Sequence, residues 1–164
     1  MIEITTSIHK RQQQIRANIV KGLKTPTFSG FKLENKYNYQ GLQISIENKQ
    51  GSTRKWKDGD KEGSTLMHYD YGYIRNTVGN DNDHVDCYIN SKNIVDQVFV
   101  IHQNRPKTGQ FDEDKVMLGF DSADEAKRAY LTHYDSEKFF GSMTEMTLDQ
   151  FKSKALGKKN RKIQ

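Results

Sequence analysis

The sequence predicts an α+β chain in which a small barrel or sandwich of short strands is followed by helices and preceded by one further helix. Three observations predict it. Strand-like runs recur over residues 42–47, 67–74, 84–89, 95–102 and 115–120, separated by turns rich in Gly, Asn, Asp and Lys. Ser122-Ala123-Asp124-Glu125 and Thr147-Leu148-Asp149-Gln150 have the form of capping boxes, which start one helix running to about Tyr134 and a second ending near Ala155. Upstream, Thr5-Thr6-Ser7 offers capping hydroxyls ahead of Ile8, Ile15, Ile19 and Leu23, whose spacing is helical.

Taken in order, residues 8–23 read as a basic amphipathic helix. Packing on the core is the expected use of its narrow apolar stripe; partner binding and membrane association are the others, and it lacks Trp or Phe anchors for a membrane surface. Residues 24–40, with Pro26, Gly30 and several Asn, read as a connecting loop, and residues 51–63 as a polar loop of mixed charge. The division expected is therefore 1–40 helix and loop, 41–156 a β domain with helices, and 157–164 a basic tail. No internal repeat is evident.

A length of 164 residues suits one domain with a single core. Eight Tyr and eight Phe can fill a small core although hydrophobic residues make up only 34%. One cysteine, Cys87, excludes an intramolecular disulfide, no apolar run approaches the ~18 residues of a membrane span, and the N-terminus lacks the apolar segment of a secretory signal. A reducing cytoplasm is the expected location, with Cys87 a small buried residue rather than a redox switch.

The net charge of +5 conceals an asymmetry: residues 1–41 carry +5, residues 42–149 carry −6 and residues 150–164 carry +6. A cation-binding centre accounts for the acidic middle, while the basic ends suit solvation or contact with nucleic acid. Lys158-Lys159-Asn160-Arg161-Lys162 has no interleaved aromatics and so is no stacking platform for single strands.

The acidic balance concentrates in Asp81-Asn82-Asp83-His84-Val85-Asp86. Carboxylates this close repel one another unless solvated or compensated by cations, and all-oxygen donors favour Mg2+ or Mn2+. The segment runs into alternating apolar and polar residues, which places Asp86 on a half-buried strand rather than in a solvated turn. An EF-hand is excluded, because no Gly stands at the sixth loop position and no Glu at the twelfth. His68, His102 and His133 show no zinc spacing and read as structural.

Tyr71-Gly72-Tyr73-Ile74, then Thr77, then Asp81-Asn82-Asp83-His84-Val85-Asp86 resemble without a gap the Y-G-Y/F-I segment and D-G-D-P-x-D signature of the soluble, Mg2+-dependent, barrel-forming inorganic pyrophosphatases. Asn82 replaces the family's Gly and His84 its Pro. Thr108 to Val116 resembles the second acidic segment, His133-Tyr134 the helix-borne phosphate-binding Tyr, and Ile46-Glu47 with Arg54 the early strand that supplies a Glu and a basic ligand. The wording of Phe111-Asp112-Glu113 and Lys115 to Phe120 looks closest to the pyrophosphatase-like domains of bacteriophages and mobile elements, which would place the chain in a host cytoplasm. The resemblance covers roughly residues 41–151.

It implies a small closed antiparallel β-barrel of the OB-like kind, of about five strands, and hydrolysis of pyrophosphate. By the family's pattern Asp81 and Asp86 are direct metal ligands and Asp83 deprotonates the attacking water, with Tyr71 beside it in the site and Tyr73 in the core. Glu113 bridges metals with Asp112 as its competitor, Glu47 holds a further metal, and Asn104 stands where the family often has an Asp. Arg54, Lys115 and Tyr134 bind the phosphates. Asp135 stands where the family has Lys; Lys138 and Lys61 are the nearby replacements. Two other readings stay open: a non-catalytic module of the same fold that contacts nucleic acid or a partner through the basic ends, and a metal-dependent nucleotide phosphohydrolase. Homo-oligomerisation through the N-terminal helix is a further expectation.

Overall fold

A computed structural model describes residues 35–164. The N-terminal helix expected over residues 8–23 and most of the loop expected over residues 24–40 lie outside the described residues. Among the described residues nine strands and two helices follow one another as β1 Lys36–Tyr39, β2 Leu42–Asn48, β3 Thr53–Asp58, β4 Lys61–Leu66, β5 Asp70–Ile74, β6 Val85–Ile89, β7 Gln97–Asn104, β8 Phe111–Leu118, α1 Ala123–Leu131, β9 Phe140–Thr147 and α2 Leu148–Ala155. Among the described residues, no helix is long and apolar enough to cross a membrane.

Seven strands form one open sheet, curled into half a barrel, in the order β1-β2-β5-β6-β8-β7-β9. This corrects the expectation of a closed antiparallel barrel of about five strands. β1 and β9 stay at the two edges instead of pairing, and β6 and β8 run parallel, with Asp86 opposite Lys115. A parallel pair needs a long crossover, here filled by β7. β3 and β4 pair only with each other, as a hairpin. That hairpin occupies most of the stretch expected to be a loop; one face, carrying Arg54, Trp56, Gly63 and Thr65, is half-buried and the other exposed, but apart from Trp56 the half-buried positions are polar or glycine, so no apolar alternation marks the strands in the sequence.

The sheet buries both faces. Ile44, Ile46, Val85, Cys87, Val98, Val100, Val116 and Leu118 face α2, which contributes Leu148, Phe151 and Ala155. Tyr71, Tyr88, Phe99, Ile101 and Met117 face α1 and the 3₁₀ turn Glu137–Phe139, which contribute Ala126, Ala129, Tyr130 and Phe139. Parity along β6 and β8 follows from this: odd residues of β6 lie under α2, while Asp86 and Tyr88 share the α1 face with Glu113, Lys115 and Met117. Both capping hydroxyls act as the sequence implies, with Ser122 Oγ accepting from Glu125 N and Thr147 Oγ1 from Gln150 N, although α1 ends three residues before Tyr134.

Gly72 explains part of the Tyr71-Gly72-Tyr73-Ile74 string. A Cβ at this position would lie 1.9 Å from the carbonyl oxygen of Ser45, so only glycine lets β2 and β5 approach this closely.

The basic tail is packed against the domain. Gly157 N donates to Asn76 O, Asn160 N to Val78 O and Ile163 N to Asp114 Oδ2, and the Ile163 side chain is 1% exposed. Lys162 Nζ lies 4.9 Å from the centre of the Phe111 ring. The tail thus grips both the stretch leading into Asp81 and the strand carrying Glu113. Ile163→Ala is expected to cost about 3 kcal/mol by leaving a cavity among apolar neighbours. Chemical denaturation with the slope unchanged checks this.

Candidate active site

The acidic loop is shaped by its own backbone. Gly79 N donates to Asp83 O, Asn82 N to Gly79 O and Asp83 N to Asp81 Oδ1. Asn82 sits at φ +63°, in the left-handed region where glycine is commonest and asparagine the usual substitute. The Asn82 departure therefore keeps the turn. Thr77 Oγ1 donates to Ile74 O and accepts from Val85 N, tying the loop to the strand that follows. His84 lies stacked on Tyr73 at 4.6 Å with Nδ1 3.2 Å from Thr77 O, a structural placement in the loop.

Six predicted residues meet on the α1 face of the sheet. Lys115 Nζ donates to Asp86 Oδ2 at 2.8 Å and to Tyr71 Oη at 2.9 Å, and stands 2.6 Å from Glu113 Oε1. Tyr71 Oη in turn donates to Asp86 Oδ2 at 2.5 Å. Arg54 reaches in from β3, its guanidinium 4.4 Å from the centre of the Tyr71 ring. Tyr134, on the turn after α1, joins through the Tyr88 hydroxyl, which donates to Tyr134 Oη at 3.0 Å.

Burial makes these contacts matter. Tyr71 is fully buried, and burial followed by the Asp86 charge pushes its hydroxyl above the ordinary range, so it stays a donor. Glu113 is pushed up to about 7 by burial and then by Asp86, Asp81 and Asp112, against the pull of Lys115. Burial raises Asp112 as well. The Lys115 ammonium is held charged, since Asp86 and Glu113 outweigh its own burial. Cys87 behind this cluster is buried, and burial first, then Asp86 and Glu47, push its thiol well up, away from a reactive thiolate.

Other predicted residues lie further off. Asn104 turns toward β9, where a Cβ on Gly141 would meet its Oδ1 at 2.7 Å. Glu47 is half-buried in the bulge of β2 between Ile46 and Asn48, on the other side of β5 from β6. Asp135, Lys138 and Lys61 are exposed.

Sequence reasoning missed the residues that knit the two acidic segments together. Gln103 Nε2 donates to Asp112 Oδ2 at 3.2 Å, while Gln103 Oε1 accepts from Tyr130 Oη at 2.6 Å. Asn80 Nδ2 donates to Asp112 O, and Arg105 Nε lies 3.8 Å from Asp112 Oδ1. Gln103 carried a signal: it continues the apolar-strand parity of Phe99 and Ile101 but is polar and only 1% exposed, and such a group needs a partner. On the opposite face, His102 bonds Asp114 and Thr144 through its two ring nitrogens, while His133 links Ala129 O to His68 N. Both are structural.

The donor set suits a hard divalent cation: carboxylates of Asp81, Asp83, Asp86, Asp112 and Glu113 come from two neighbouring segments, and three of them raise Glu113 by repulsion. Among the described residues, no three His, Cys, Asp or Glu side chains stand together as a ready-made metal group. Lys115 is the cation between Asp86 and Glu113 in this arrangement.

A family model described as Inorganic Pyrophosphatase matches residues 24–156. No curated protein matches the chain. The tail that packs on the stretch leading into the acidic loop lies beyond the matched residues.

Proposed function

The chain belongs to the inorganic pyrophosphatase family, and on that premise we propose that it hydrolyses pyrophosphate to two phosphates with the help of divalent cations. The observation that carries the reading is the Lys115, Tyr71, Asp86 and Glu113 cluster beside the Asp81 to Asp86 loop, where buried hydrogen-bonded charge stands ready for a polyanion and its counter-ions.

Asp81, Asp86 and Glu113 would hold the cation, with Asp112 and Glu47 further out. When bound, Mg2+ or Mn2+ supplies positive charge against the phosphate oxygens and acidifies water. Asp83 accepts the proton of the attacking water. The water oxygen bonds to one phosphorus, the bridging P–O bond breaks, and the bridging oxygen leaves with the second phosphate. Arg54 and Lys115 offset the charge that collects on the phosphoryl oxygens, and Tyr134 donates a hydroxyl hydrogen bond. Tyr71 keeps Asp86 and Lys115 in register through its two hydrogen bonds.

Phosphate release from pyrophosphate in Mg2+, compared with Asp83→Asn, tests the proposal; a folded wild type that releases none would overturn it. Of the two basic ends that the non-catalytic binding module would use, the C-terminal one is packed against the domain.

Glu113 gives the reaction a pH signature. Its folded value of about 7 lies above the ordinary 4.5, so below pH 7 a proton must leave before its oxygens can take a cation. Cation affinity is therefore expected to fall as pH drops through 7, by up to about tenfold per unit, and to level off above it. Calorimetric Mg2+ titrations from pH 6 to 8 check this, with Glu113→Gln expected to flatten the dependence.

A further inference from the structure

Beside the cluster lies a cavity of about 360 Å3 between the β3–β4 hairpin and the end of α1, lined by Trp56, Leu66, His68, His133, Tyr134, Asp135 and three hydroxyl side chains. Its chemistry differs from that of the phosphate-binding cluster. Among the described residues no Lys or Arg lines it, Asp135 contributes a carboxylate, and His133 is neutral because burial lowers it to about 4. A second phosphate would meet repulsion here. An aromatic ring would meet Trp56, two imidazoles and Tyr134, and an amino group would meet Asp135.

The cavity is also correctly placed for an extension of the substrate. Trp56 follows Arg54 by two positions on β3, so both side chains leave the same strand face about 6–7 Å apart. Arg54 lies over Tyr71 in the cluster, and Tyr134 belongs to both the cluster and the cavity wall. Trp56 is seated firmly, packed over Gly63 across the hairpin, where a Cβ would lie 2.1 Å from the indole.

We propose that this cavity takes the nucleoside end of a nucleoside 5′-diphosphate whose anhydride lies against Arg54 and Lys115, a substrate class that rests on the phosphoanhydride hydrolysis proposed above. ADP is pyrophosphate with one end esterified to adenosine. Water bonds to the terminal phosphorus, the bridging P–O bond breaks, the water proton passes to Asp83, and phosphate and AMP leave.

Trp56 is the single tryptophan of the chain, so its emission reports on the cavity directly. With Mg2+ and the Asp83→Asn protein, ADP is expected to give a saturable loss of emission that pyrophosphate at equal concentration does not give. Asp135→Lys, an exposed change that spares the core, is expected to shift the ratio of kcat/KM for ADP over pyrophosphate about tenfold toward pyrophosphate. Emission that ADP leaves unchanged, in a protein that hydrolyses pyrophosphate, overturns the cavity proposal and leaves the pyrophosphatase reading standing. An ADP response in a wild type that hydrolyses neither compound supports the cavity and overturns the hydrolytic reading instead.

Discussion

Asp83→Asn is expected to lower metal-dependent phosphate release by about 10³-fold, the range in which a positioned proton acceptor contributes to catalysis. The fold is expected to survive. Asp83 joins the loop through its own main-chain atoms, its N bonded to Asp81 Oδ1 and its O bonded by Gly79 N, and an amide has nearly the shape of the carboxylate it replaces. Asn82 keeps its left-handed conformation independently of that change. The measurement is initial phosphate release at saturating Mg2+, with thermal melts of both proteins alongside. Equal melting temperatures with full activity in the variant would remove Asp83 from the mechanism.

The second large effect is expected at Lys115, where stability and catalysis are coupled. Its ammonium uses all three donors, on Asp86, Tyr71 and Glu113, in a site where it is 4% exposed. Lys115→Met keeps the length of the stem and removes the charge. Two buried carboxylates then face each other without a cation, which costs about 3–5 kcal/mol when one partner of a buried pair is lost. Activity is expected to drop about 10²-fold, since the phosphoryl oxygens lose a fixed positive charge. The diagnostic readout is the melting temperature with and without Mg2+. The variant is expected to gain more from the cation than the wild type, because a divalent ion then supplies the neutralising charge that Lys115 gave. A melting temperature insensitive to Mg2+ in the variant would show that Asp86 and Glu113 are not where the cation binds.

These two residues also show how sequence and structure divide the evidence. Lys115 read by itself is an ordinary charged residue in a strand-like run. Its meaning came from the acidic segment before it, and the contact that makes it important is to Asp86, 29 positions away. That contact exists because β6 and β8 pair in parallel, a pairing no local pattern encodes. Tyr130 and Asn80 were illegible for the same reason: each bonds a partner from another element. β9 was missed as an edge strand of the open sheet, and β3 and β4 as a separate hairpin, since alternation of apolar and polar residues marks a strand only where one face packs into an apolar core.

By itself the sequence determined the local chemistry: five of the strands, the two capped helices, the acidic loop with an asparagine suited to its left-handed turn, and the family those motifs resemble. The strands, helices and loop follow from propensity, periodicity and spacing, which act over a few residues; the resemblance rests on the motif residues themselves. Only the tertiary structure decided that the sheet stays open, that Lys115 stands between Asp86 and Glu113, that the basic tail packs on the stretch leading into the acidic loop, and that an aromatic cavity adjoins Arg54 and Tyr134. Each of those depends on segments far apart in the chain meeting in a buried place, where charge and hydrogen bonding must be satisfied by whatever the fold brings there.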